Sequence, residues 1–465
     1  MDFRDYRVTE LASAVQSGKL TARELAEAAL ARIDAHDAEL NAFVVTDPER
    51  SLTEADAVDE RIRSGHAVGP LAGIPIGVKD LEDAAGWPTR SGSLLSSTEA
   101  AEGDSVLVTR LKAAGCVVIG KTATPEYGHK GQTDSLLTGA TRNPWSLDRT
   151  PGGSSGGSAA ALAAGLIPLA TGSDGGGSIR IPAALCGFSG IKTTNGRVPN
   201  GGPTPPGSAI LAVKGPMALS IDDTALALDC VVGPHPTDAF SLPRSGSPWY
   251  DALTVRRFPS RVAWSPTMGF AELDDEIRAI CAAAIDQMAD AGVQIVEVAD
   301  IWPEDPVLPW WHLWTALRAR TQGHLVGTAD WAKIDPSLQF QIESGLKLSA
   351  ADIVASLDAV HDYNLQLDHA FEQAPLLITP MVAGQTPFLG HEGVINGDER
   401  LGWVSFSYGF NMTRNPAGTV SCGQTSDGMP VGLQIVGRQL DDVSVLQAIS
   451  GLETLFDRPC RPSGW

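Results

Sequence analysis

The chain has 465 residues, of which 43% are hydrophobic and 19% charged, a balance that excludes long disorder and suits a large buried core. Asp and Glu number 55 against 34 for Lys and Arg, which gives a net charge of −21. A surface this acidic repels phosphate backbones and anionic lipid headgroups, and no Lys/Arg cluster forms a local basic groove. We therefore expect neither a nucleic-acid partner nor a membrane partner.

Targeting and metal-binding patterns are also missing. MDFRDYRVTE at the N-terminus carries charges where a secretory signal has an apolar run, and residues 159–170 are too few to span a membrane. The nine histidines show no HxxxH or HxH pairing. The cysteines show no CxxC spacing, which argues against a disulfide framework or a zinc site; they are Cys116, Cys186, Cys230, Cys281, Cys422 and Cys460. The sequence predicts a cytoplasmic protein without a metal.

The first strong element is a helix that begins after Thr21. Thr21 and Glu24 form a capping box. Apolar side chains then recur near one face at helical spacing, namely Leu25, Ala29, Ile33 and Leu40. This face is predicted to pack on the core.

A helix followed directly by a strand is predicted twice further along the chain. Asp104 is expected to cap a helix that ends at Gly115 and leads into CVVIG. Asp274 is expected to begin a helix that ends at Gly292 before VQIVEV. A glycine at the helix end followed by a β-branched run is typical of α/β folds.

The centre of the chain, residues 151–207, is dense in Gly, Ser and Pro and includes GGSSGGS at 152–158 and GSDGGGS at 172–178. Such composition is also typical of flexible linkers. The two runs are separated, however, by AAALAAGLIPLAT, which is helix-like in its first half and strand-like in its second. We favour glycines embedded in secondary structure, at points of close backbone approach.

One motif in this half of the chain imitates a nucleotide site. GCVVIGKT at residues 115–122 matches the P-loop pattern GxxxxGK[ST]. A phosphate loop needs small residues between its glycines and a helix after them. Cys, Val, Val and Ile instead predict a strand, and Pro125 follows soon after. Nucleotide binding is rejected, and Lys121 is predicted to be an ordinary residue at a strand end.

A second motif, GGSSG at residues 152–156, matches the GxSxG nucleophile elbow of α/β-hydrolases. The elbow requires a strand directly before the serine, and an Asp and a His after it. TRNPWSLDRTP precedes the motif, and its prolines and turn formers do not predict a strand. An α/β-hydrolase-type esterase stays an alternative, with nominal bases at His235, His312, His324, His361, His369 and His391.

A third constellation combines a lysine with serines from separate segments. Lys79 follows an apolar run at residues 74–78, so its stem is expected at a buried strand end, where loss of water lowers the pKa of an amine. Asp80 is expected on the opposite side of the extended chain. A neutral Lys79 is the base that a serine nucleophile needs, although a surface or ion-paired lysine is the plainer interpretation of Lys79 alone. The glycines before Ser178 leave backbone N–H groups able to converge on an oxyanion.

Four segments together resemble the amidase signature family of serine amide hydrolases. They are GIPIGVKD at 73–80, RNPWSLDRTPGGSSGGSAAALAAG at 142–165, LATGSDGGGSIRIPAALCGFSGIKTTNGRV at 169–198 and MPVGLQIVGRQLDD at 429–442. The resemblance covers most of the chain. It implies an amidase with a single large α/β domain, in which a mixed β-sheet is flanked by helices on both faces.

The resemblance also implies a Ser–cis-Ser–Lys triad. Ser178 is then the nucleophile, Ser154 the bridging serine next to a cis peptide bond, and Lys79 the base that draws the proton through Ser154. No metal and no organic cofactor takes part. The oxyanion hole would be formed by backbone N–H groups of Gly175, Gly176, Gly177 and Ser178.

Other residues of the matched segments are given supporting roles. Asp174 and Arg180 match the signature and are interpreted as structural supports. Gly175 departs from it, because members often carry a larger residue there, so a looser oxyanion turn is expected. Ser421 stands where a proline is common, which affects the expected geometry of that loop.

Four parts of the single domain are expected along the chain. They are an N-terminal helical segment (1–70), a catalytic core with the signature motifs (71–235), a variable substrate-pocket region (240–400) and a C-terminal part that returns to the core (401–465). The variable region holds a Trp-rich stretch, 302–331, interpreted either as an aromatic wall of the pocket or as a core or dimer surface.

An aromatic wall favours a small aryl or hydrophobic acyl amide as substrate, cleaved to an acid and an amine or ammonia. A small-molecule amide is therefore the expected partner, and a homodimer is left open. The alternative is a glutamine amidase subunit of an amidotransferase complex. Against it, SIRIPA has Ile181 where that subunit more often has a glutamine.

Overall fold

Two β-sheets occupy the centre of the protein, as described by a computed structural model for residues 1–202, 210–254, 259–457 and 461–465. In chain order the strands are β1 (Phe43–Thr46), β2 (Pro75–Lys79), β3 (Val117–Thr122), β4 (Asp134–Ser135), β5 (Gly139–Ala140), β6 (Leu169–Asp174), β7 (Gly190–Lys192), β8 (Val213–Met217), β9 (Arg261–Trp264), β10 (Gln294–Glu297), β11 (Leu376–Pro380), β12 (Gly393–Ile395), β13 (Asp398–Arg400), β14 (Ala417–Gln424) and β15 (Pro430–Gly437).

The α-helices that surround these strands are α1 (Val8–Gln16), α2 (Ala22–Leu40), α3 (Pro48–Arg63), α4 (Val106–Ala113), α5 (Gly156–Ala163), α6 (Arg180–Leu185), α7 (Ile221–Val231), α8 (Trp249–Leu253), α9 (Asp275–Asp290), α10 (Val307–Gln322), α11 (Pro336–Leu346), α12 (Ala350–Gln373), α13 (Gly409–Met412) and α14 (Asp442–Phe456). Short 3-10 helices cover Phe3–Asp5, Glu126–Gly128, Gly323–Leu325, Ala329–Lys333 and Leu401–Val404.

The two large sheets have mixed strand directions. The first has the order β1-β3-β2-β6-β8, with β2 parallel to both β3 and β6 and antiparallel strands at its two edges. The second has the order β10-β9-β11-β15-β14-β7, parallel at the β10 end and antiparallel from β11 onwards. Edge strands β7 and β8 contact each other, so the expected mixed sheet is present as two adjoining hydrogen-bonded parts.

Helices flank both sheets, which confirms the predicted α/β fold. Helix α5 contacts β2, β3 and β6, and all of its side chains are buried. On the second sheet, α9 and α14 contact β14 and β15. The part of the Gly/Ser-rich centre that is described, residues 151–202, contains α5, β6, α6 and β7 and is therefore not a linker. Residues 203–207 of that centre lie outside the described residues.

Two of the three predicted helix starts are confirmed. Helix α2 begins after Thr21 with the capping box to Glu24, and Asp274 caps α9 by accepting from the N–H groups of its first turn. Asp104 was expected to cap α4, and this is wrong. The N-cap is the neighbouring Ser105, whereas the Asp104 carboxylate accepts hydrogen bonds from the Ala85 N–H and from the Lys112 ammonium.

The rejected P-loop motif is indeed mainly a strand. Residues 117–122 form β3, and the 3-10 helix after it begins only at Glu126, beyond Pro125. Lys121 is the penultimate residue of the strand, near its end as predicted, and is fully buried. Its Nζ atom is 3.5 Å from Asp80 Oδ1, so this lysine forms a buried ion pair.

Candidate active site

Lys79 is the last residue of β2, and its side chain is buried beneath a group of serines. The Lys79 N–H donates to Thr171 Oγ1 on the adjacent strand β6 over 2.8 Å, which fixes the lysine backbone. Its Nζ atom donates to Ser154 Oγ at 2.8 Å, Ser155 Oγ at 2.8 Å and Ser173 Oγ at 2.9 Å. Every hydrogen bond of the amine thus goes to a serine hydroxyl.

Burial without an adjacent carboxylate changes the proton affinity of this amine. Loss of water lowers the pKa of Lys79 from 10.5 to about 7; the charges of Asp174 and Glu82 oppose this shift, and that of Arg318 adds to it. A substantial fraction of Lys79 is therefore neutral near pH 7. A pKa near 7 is compatible with the role of general base that the sequence predicts for Lys79.

Asp80, the nearest carboxylate in sequence, is directed away from Lys79 as expected. It forms the ion pair with Lys121 and accepts hydrogen bonds from the N–H groups of Arg90 and Gly92. Because side chains alternate along the extended chain, Lys79 and Asp80 point to opposite sides of it, and the Asp80 carboxylate pairs with Lys121 rather than with Lys79. Lys121 is paired with a carboxylate, whereas the Lys79 amine is bonded only to hydroxyls.

The serine pair lies at the start of α5. The Gly153–Ser154 peptide bond is cis, and Ser155 is the N-cap of the helix. A Cβ atom added to Gly153 would lie 2.6 Å from the backbone of Gln132, and one added to Gly157 would lie 2.3 Å from the backbone N of Ala123. These two glycines are therefore required because other backbone segments pass directly against the loop.

Ser178 follows β6 through the run of three glycines. The carbonyl of Ser178 accepts a hydrogen bond from the Ser155 N–H at 3.3 Å, which ties the two serine segments together. Ser178 and Ser154 line the same cavity, of about 770 Å³, together with Ser173 and Gly175. Lys79 does not itself line the cavity, and its amine is connected to it by the hydrogen bonds to Ser154 and Ser173.

The predicted oxyanion amides do not all have the same surroundings. Gly175 and Ser178 line the cavity. The Gly177 N–H instead donates to Asp174 Oδ1 at 2.8 Å, and Gly177 adopts a φ of 119°, which favours glycine. One of the four predicted donors is therefore already bonded to a carboxylate.

Asp174 and Arg180 form the buried support that the sequence indicates. Arg180 binds both carboxylate oxygens of Asp174 at 2.9 Å and also donates to Asn411 Oδ1 at 2.7 Å and to Gln434 Oε1 at 2.5 Å. Burial alone would raise the pKa of Asp174, but the Arg180 guanidinium and the Asn411 amide hold it well below its usual range. The carboxylate that orients the glycine run is thus held ionised.

The tryptophans of the 302–331 stretch divide between the two interpretations. Trp302 is a core residue that packs against Tyr363 and Phe410. Trp314 lines the cavity, and Trp310 stacks on it with ring centroids 5.4 Å apart. Trp314 therefore lies on the cavity wall, with Trp310 stacked against it, whereas Trp302 belongs to the core.

The indoles of Trp310 and Trp314 pack directly against the glycine run. Trp310 Nε1 donates to the Gly175 carbonyl at 3.1 Å. A Cβ atom added to Gly175 would lie 2.7 Å from the Trp314 ring, and one added to Gly176 would lie 2.7 Å from the Trp310 ring. The turn was expected to be looser because of Gly175, but the indoles fill the space that a larger residue would occupy.

We expect Gly175→Ala to reduce amidase activity by displacing Trp314, with a loss of about 1–3 kcal/mol in stability from overpacking. Trp314→Leu should restore part of the loss when combined with Gly175→Ala. A double-mutant cycle on kcat/KM and on the free energy of unfolding measures this coupling. Additive effects of the two substitutions would contradict the proposed contact.

Several residues of the site were not predicted from the sequence. Ser155 and Ser173 both bind the lysine amine, and their only signal was their place in the matched segments. Arg318 lines the cavity from α10 and had no sequence signal.

The α/β-hydrolase alternative lacks support in this geometry. No strand leads directly into the serine pair, because residues 141–153 contain none, and none of the described residues that line the cavity is a histidine. His129, a buried histidine, is bonded to the Glu126 carbonyl and to Ser337 Oγ instead.

Comparison with known proteins identifies the family of this chain. The family model described as Amidase matches residues 24–446. An acylamidase of Rhodococcus erythropolis is 36% identical over 461 residues, which cover 96% of this chain and 94% of the relative. A glutamyl-tRNA(Gln) amidotransferase subunit of Chloroflexus aggregans is 36% identical over 471 residues, covering 96% and 95%. The crystal structure of a bacterial aryl acylamidase of the amidase signature family superposes with a TM-score of 0.89 at 28% identity, covering 98% and 99%.

The chain therefore belongs to the amidase family and is an amide hydrolase. Within the described residues, no helix combines the length and apolar character needed to cross a membrane.

Proposed function

We propose that this amidase cleaves a small aryl or hydrophobic acyl amide through an acyl-enzyme on Ser178. The observation that carries the proposal is the buried Lys79 amine, bonded at 2.8 Å to Ser154, behind a cavity that Ser178 also lines. The Trp314 ring on the cavity wall and the similarity to an acylamidase support the choice of substrate.

Proton transfer in this proposal runs from one serine to the other and then to the lysine. Ser178 Oγ attacks the carbonyl carbon while its proton passes to Ser154 Oγ, and the Ser154 proton passes to neutral Lys79. The resulting ammonium returns a proton through Ser154 to the nitrogen of the leaving amine, and the C–N bond breaks. Water then attacks the acyl-enzyme by the same relay and releases the acid.

We place the developing oxyanion near the backbone N–H groups of Gly175, Gly176, Gly177 and Ser178. Gly175 and Ser178 contribute most in this proposal, because both line the cavity. The Gly177 N–H contributes chiefly by holding the turn, because it donates to Asp174. No metal or organic cofactor is required by these steps.

The domain division expected from the sequence, with the pocket-covering part at 240–400, also remains a proposal. It is supported by Trp314 and Arg318 on α10, which both line the cavity. We further propose a cytoplasmic location, supported by the five free cysteines among the described residues; fractionation of the native cells would test it.

A homodimer is proposed on exposed apolar side chains of α11 and α12. Phe340 is 61% exposed, and Val354 and Leu357 are 56% and 50% exposed. Light scattering of the purified protein tests it, and a monomer mass would exclude it.

The second candidate is a glutamine amidase subunit, which the similarity to an amidotransferase subunit favours. Ile181, the residue that differs from that subunit's usual glutamine, is buried against Gly177. Hydrolysis of simple amides by the purified chain alone supports the first candidate. Glutamine hydrolysis that requires a partner supports the second.

The direct test of the triad is intact mass after brief treatment with a fluorophosphonate. We expect one adduct on Ser178, absent in Ser178→Ala and formed much more slowly in Lys79→Ala. Ser97→Ala is the matched control, because it removes an exposed hydroxyl of the same cavity that does not contact Lys79. An adduct on Ser154 or Ser155 that forms without Lys79 would contradict the relay.

A further inference from the structure

Arg318 is a buried cation on the wall of the proposed active site. It lies on α10, lines the cavity that Ser178 and Ser154 line, and is only 9% exposed. Its guanidinium stacks on the Trp314 ring at 4.2 Å from the centroid. Stacking occupies one face of the guanidinium and leaves its N–H edge for a hydrogen-bonding partner.

No protein group among the described residues serves as that partner. Arg318 Nε is buried without a hydrogen-bond acceptor, and no carboxylate of the described chain forms an ion pair with this side chain. The segments outside the description, 203–209, 255–258 and 458–460, contain no Asp or Glu in their sequence. The charge is therefore left without a carboxylate of its own chain.

Other cations near the site contrast with this arrangement. Arg180 is bound by Asp174, and Lys121 by Asp80. Lys214, which also lines the cavity, is 2.8 Å from Glu82. A buried charge without a partner is strongly unfavourable, so a retained one indicates a partner that arrives from outside.

Arg318 remains charged under working conditions. Burial lowers the pKa of Arg318 to about 10, which still leaves the guanidinium protonated near neutral pH. Asp83, Glu99 and Glu102 also line the cavity. Arg318, which has no carboxylate partner among the described residues, is therefore a cation that can attract an anionic group entering the cavity.

We propose that Arg318 binds a carboxylate group of the substrate. The preferred substrate is then an amide that also carries an anionic carboxylate elsewhere in the molecule. This inference rests on the proposed function, because it assumes that the cavity holds the amide to be cleaved. The planar N–H edge of a guanidinium matches the two oxygens of a carboxylate, which gives orientation as well as affinity. Arg318 is thus a positioning and specificity residue.

The test compares matched amides with and without a carboxylate. On the acyl side the pair is succinyl 4-nitroanilide and its methyl ester; on the amine side it is N-butanoyl-4-aminobenzoate and N-butanoylaniline. We expect wild type to favour one of the two anionic amides by roughly 30-fold or more in kcat/KM. Arg318→Met should abolish this preference while still cleaving the neutral amides, and Arg318→Lys should retain part of it.

A control variant and a folding measurement separate this role from a structural one. Arg320→Gln removes an exposed cation from the same helix and cavity and should change the preference less than about threefold. Arg318→Met should unfold at no lower temperature than wild type, because it removes an unpaired buried charge. A marked fall in that temperature would show that the guanidinium is structural.

A binding measurement keeps the inference testable without turnover. Calorimetry with glutarate, a dicarboxylate that carries no amide, should detect binding to wild type and not to Arg318→Met. Equal rates on neutral and anionic amides, with equal glutarate binding, would overturn the inference and leave the amidase proposal intact. A Ser178 that forms no fluorophosphonate adduct would instead reject the proposed catalytic site.

Discussion

Replacing Lys79 by methionine is expected to lower kcat for amide hydrolysis by about 10³- to 10⁴-fold, because the variant has no base to receive the serine proton. Methionine fills a similar volume, so the surrounding serines should remain in place. The wild-type rate should rise with pH through an apparent pKa of about 7 as Lys79 loses its proton. This rise with pH, measured as kcat/KM against pH, should be absent from the residual activity of the variant.

The same substitution should change stability with a defined pH dependence. The pKa of Lys79 is about 7 in the folded protein against 10.5 for the free side chain, so the unfolded chain binds more protons between these values. The contribution of Lys79 to the free energy of unfolding therefore increases with pH across that window. Lys79→Met should be more stable than wild type at pH 7, and the difference should shrink toward pH 10.

Chemical denaturation at several pH values measures this difference. Lys192 is a useful internal control, because burial also lowers its pKa to about 7, and it is present in both proteins. Its contribution cancels in the comparison. A variant that is less stable than wild type at pH 7, or one whose kcat/KM still rises with pH through about 7, would contradict the role of Lys79 as a buried neutral base.

Arg180→Met is expected to destabilise the protein by about 3–5 kcal/mol, because it leaves the Asp174 carboxylate buried without its cation. The loss should extend to function. The same carboxylate accepts hydrogen bonds from the N–H groups of Gly177 and Ile179, which shape the turn before and after Ser178. We expect reactivity of Ser178 toward the fluorophosphonate to fall even under conditions in which the variant stays folded.

Urea unfolding measures the stability loss, and an exposed ion pair gives the comparison. Arg438 and Asp368 form such a pair, with side chains 46% and 56% exposed, and Arg438→Met should change stability far less. The double variant Asp174→Asn/Arg180→Met should recover part of the loss, since it removes both buried charges. A single Arg180→Met variant with wild-type stability would show that the pair contributes nothing to the fold.

The contiguous parts of the candidate site can be recognised in the sequence, and the catalytic roles of their residues stay predictions. Lys79, Ser154 and Ser178 lie in strings whose composition and order identify the family, and the apolar run before Lys79 indicates a buried strand end. The capping box at Thr21 and the glycine helix ends likewise depend on residues a few positions apart. Such patterns are local, so one sequence suffices to recognise them.

The remaining features depend on contacts between distant segments. Trp310 is 135 residues from the Gly175 carbonyl that it binds, and nothing in the local pattern of α10 predicts this pairing. Arg318 is informative only because no acceptor surrounds it, which is a property of the folded neighbourhood. The exchange of Asp104 for Ser105 as a helix cap has a smaller cause: both residue types cap helices, and only the position of Lys112 and Ala85 decides between them.

The contact between α10 and the glycine run has a consequence for protein engineering. Helix α10 lies in the proposed variable region, yet its indoles pack against the turn that carries Ser178, the proposed nucleophile. Recognition and catalysis are therefore not separable modules in this enzyme. A chimera that receives the 302–331 segment of a relative must also receive that relative's residue at the Gly175 position, because the Trp314 ring packs directly against Gly175.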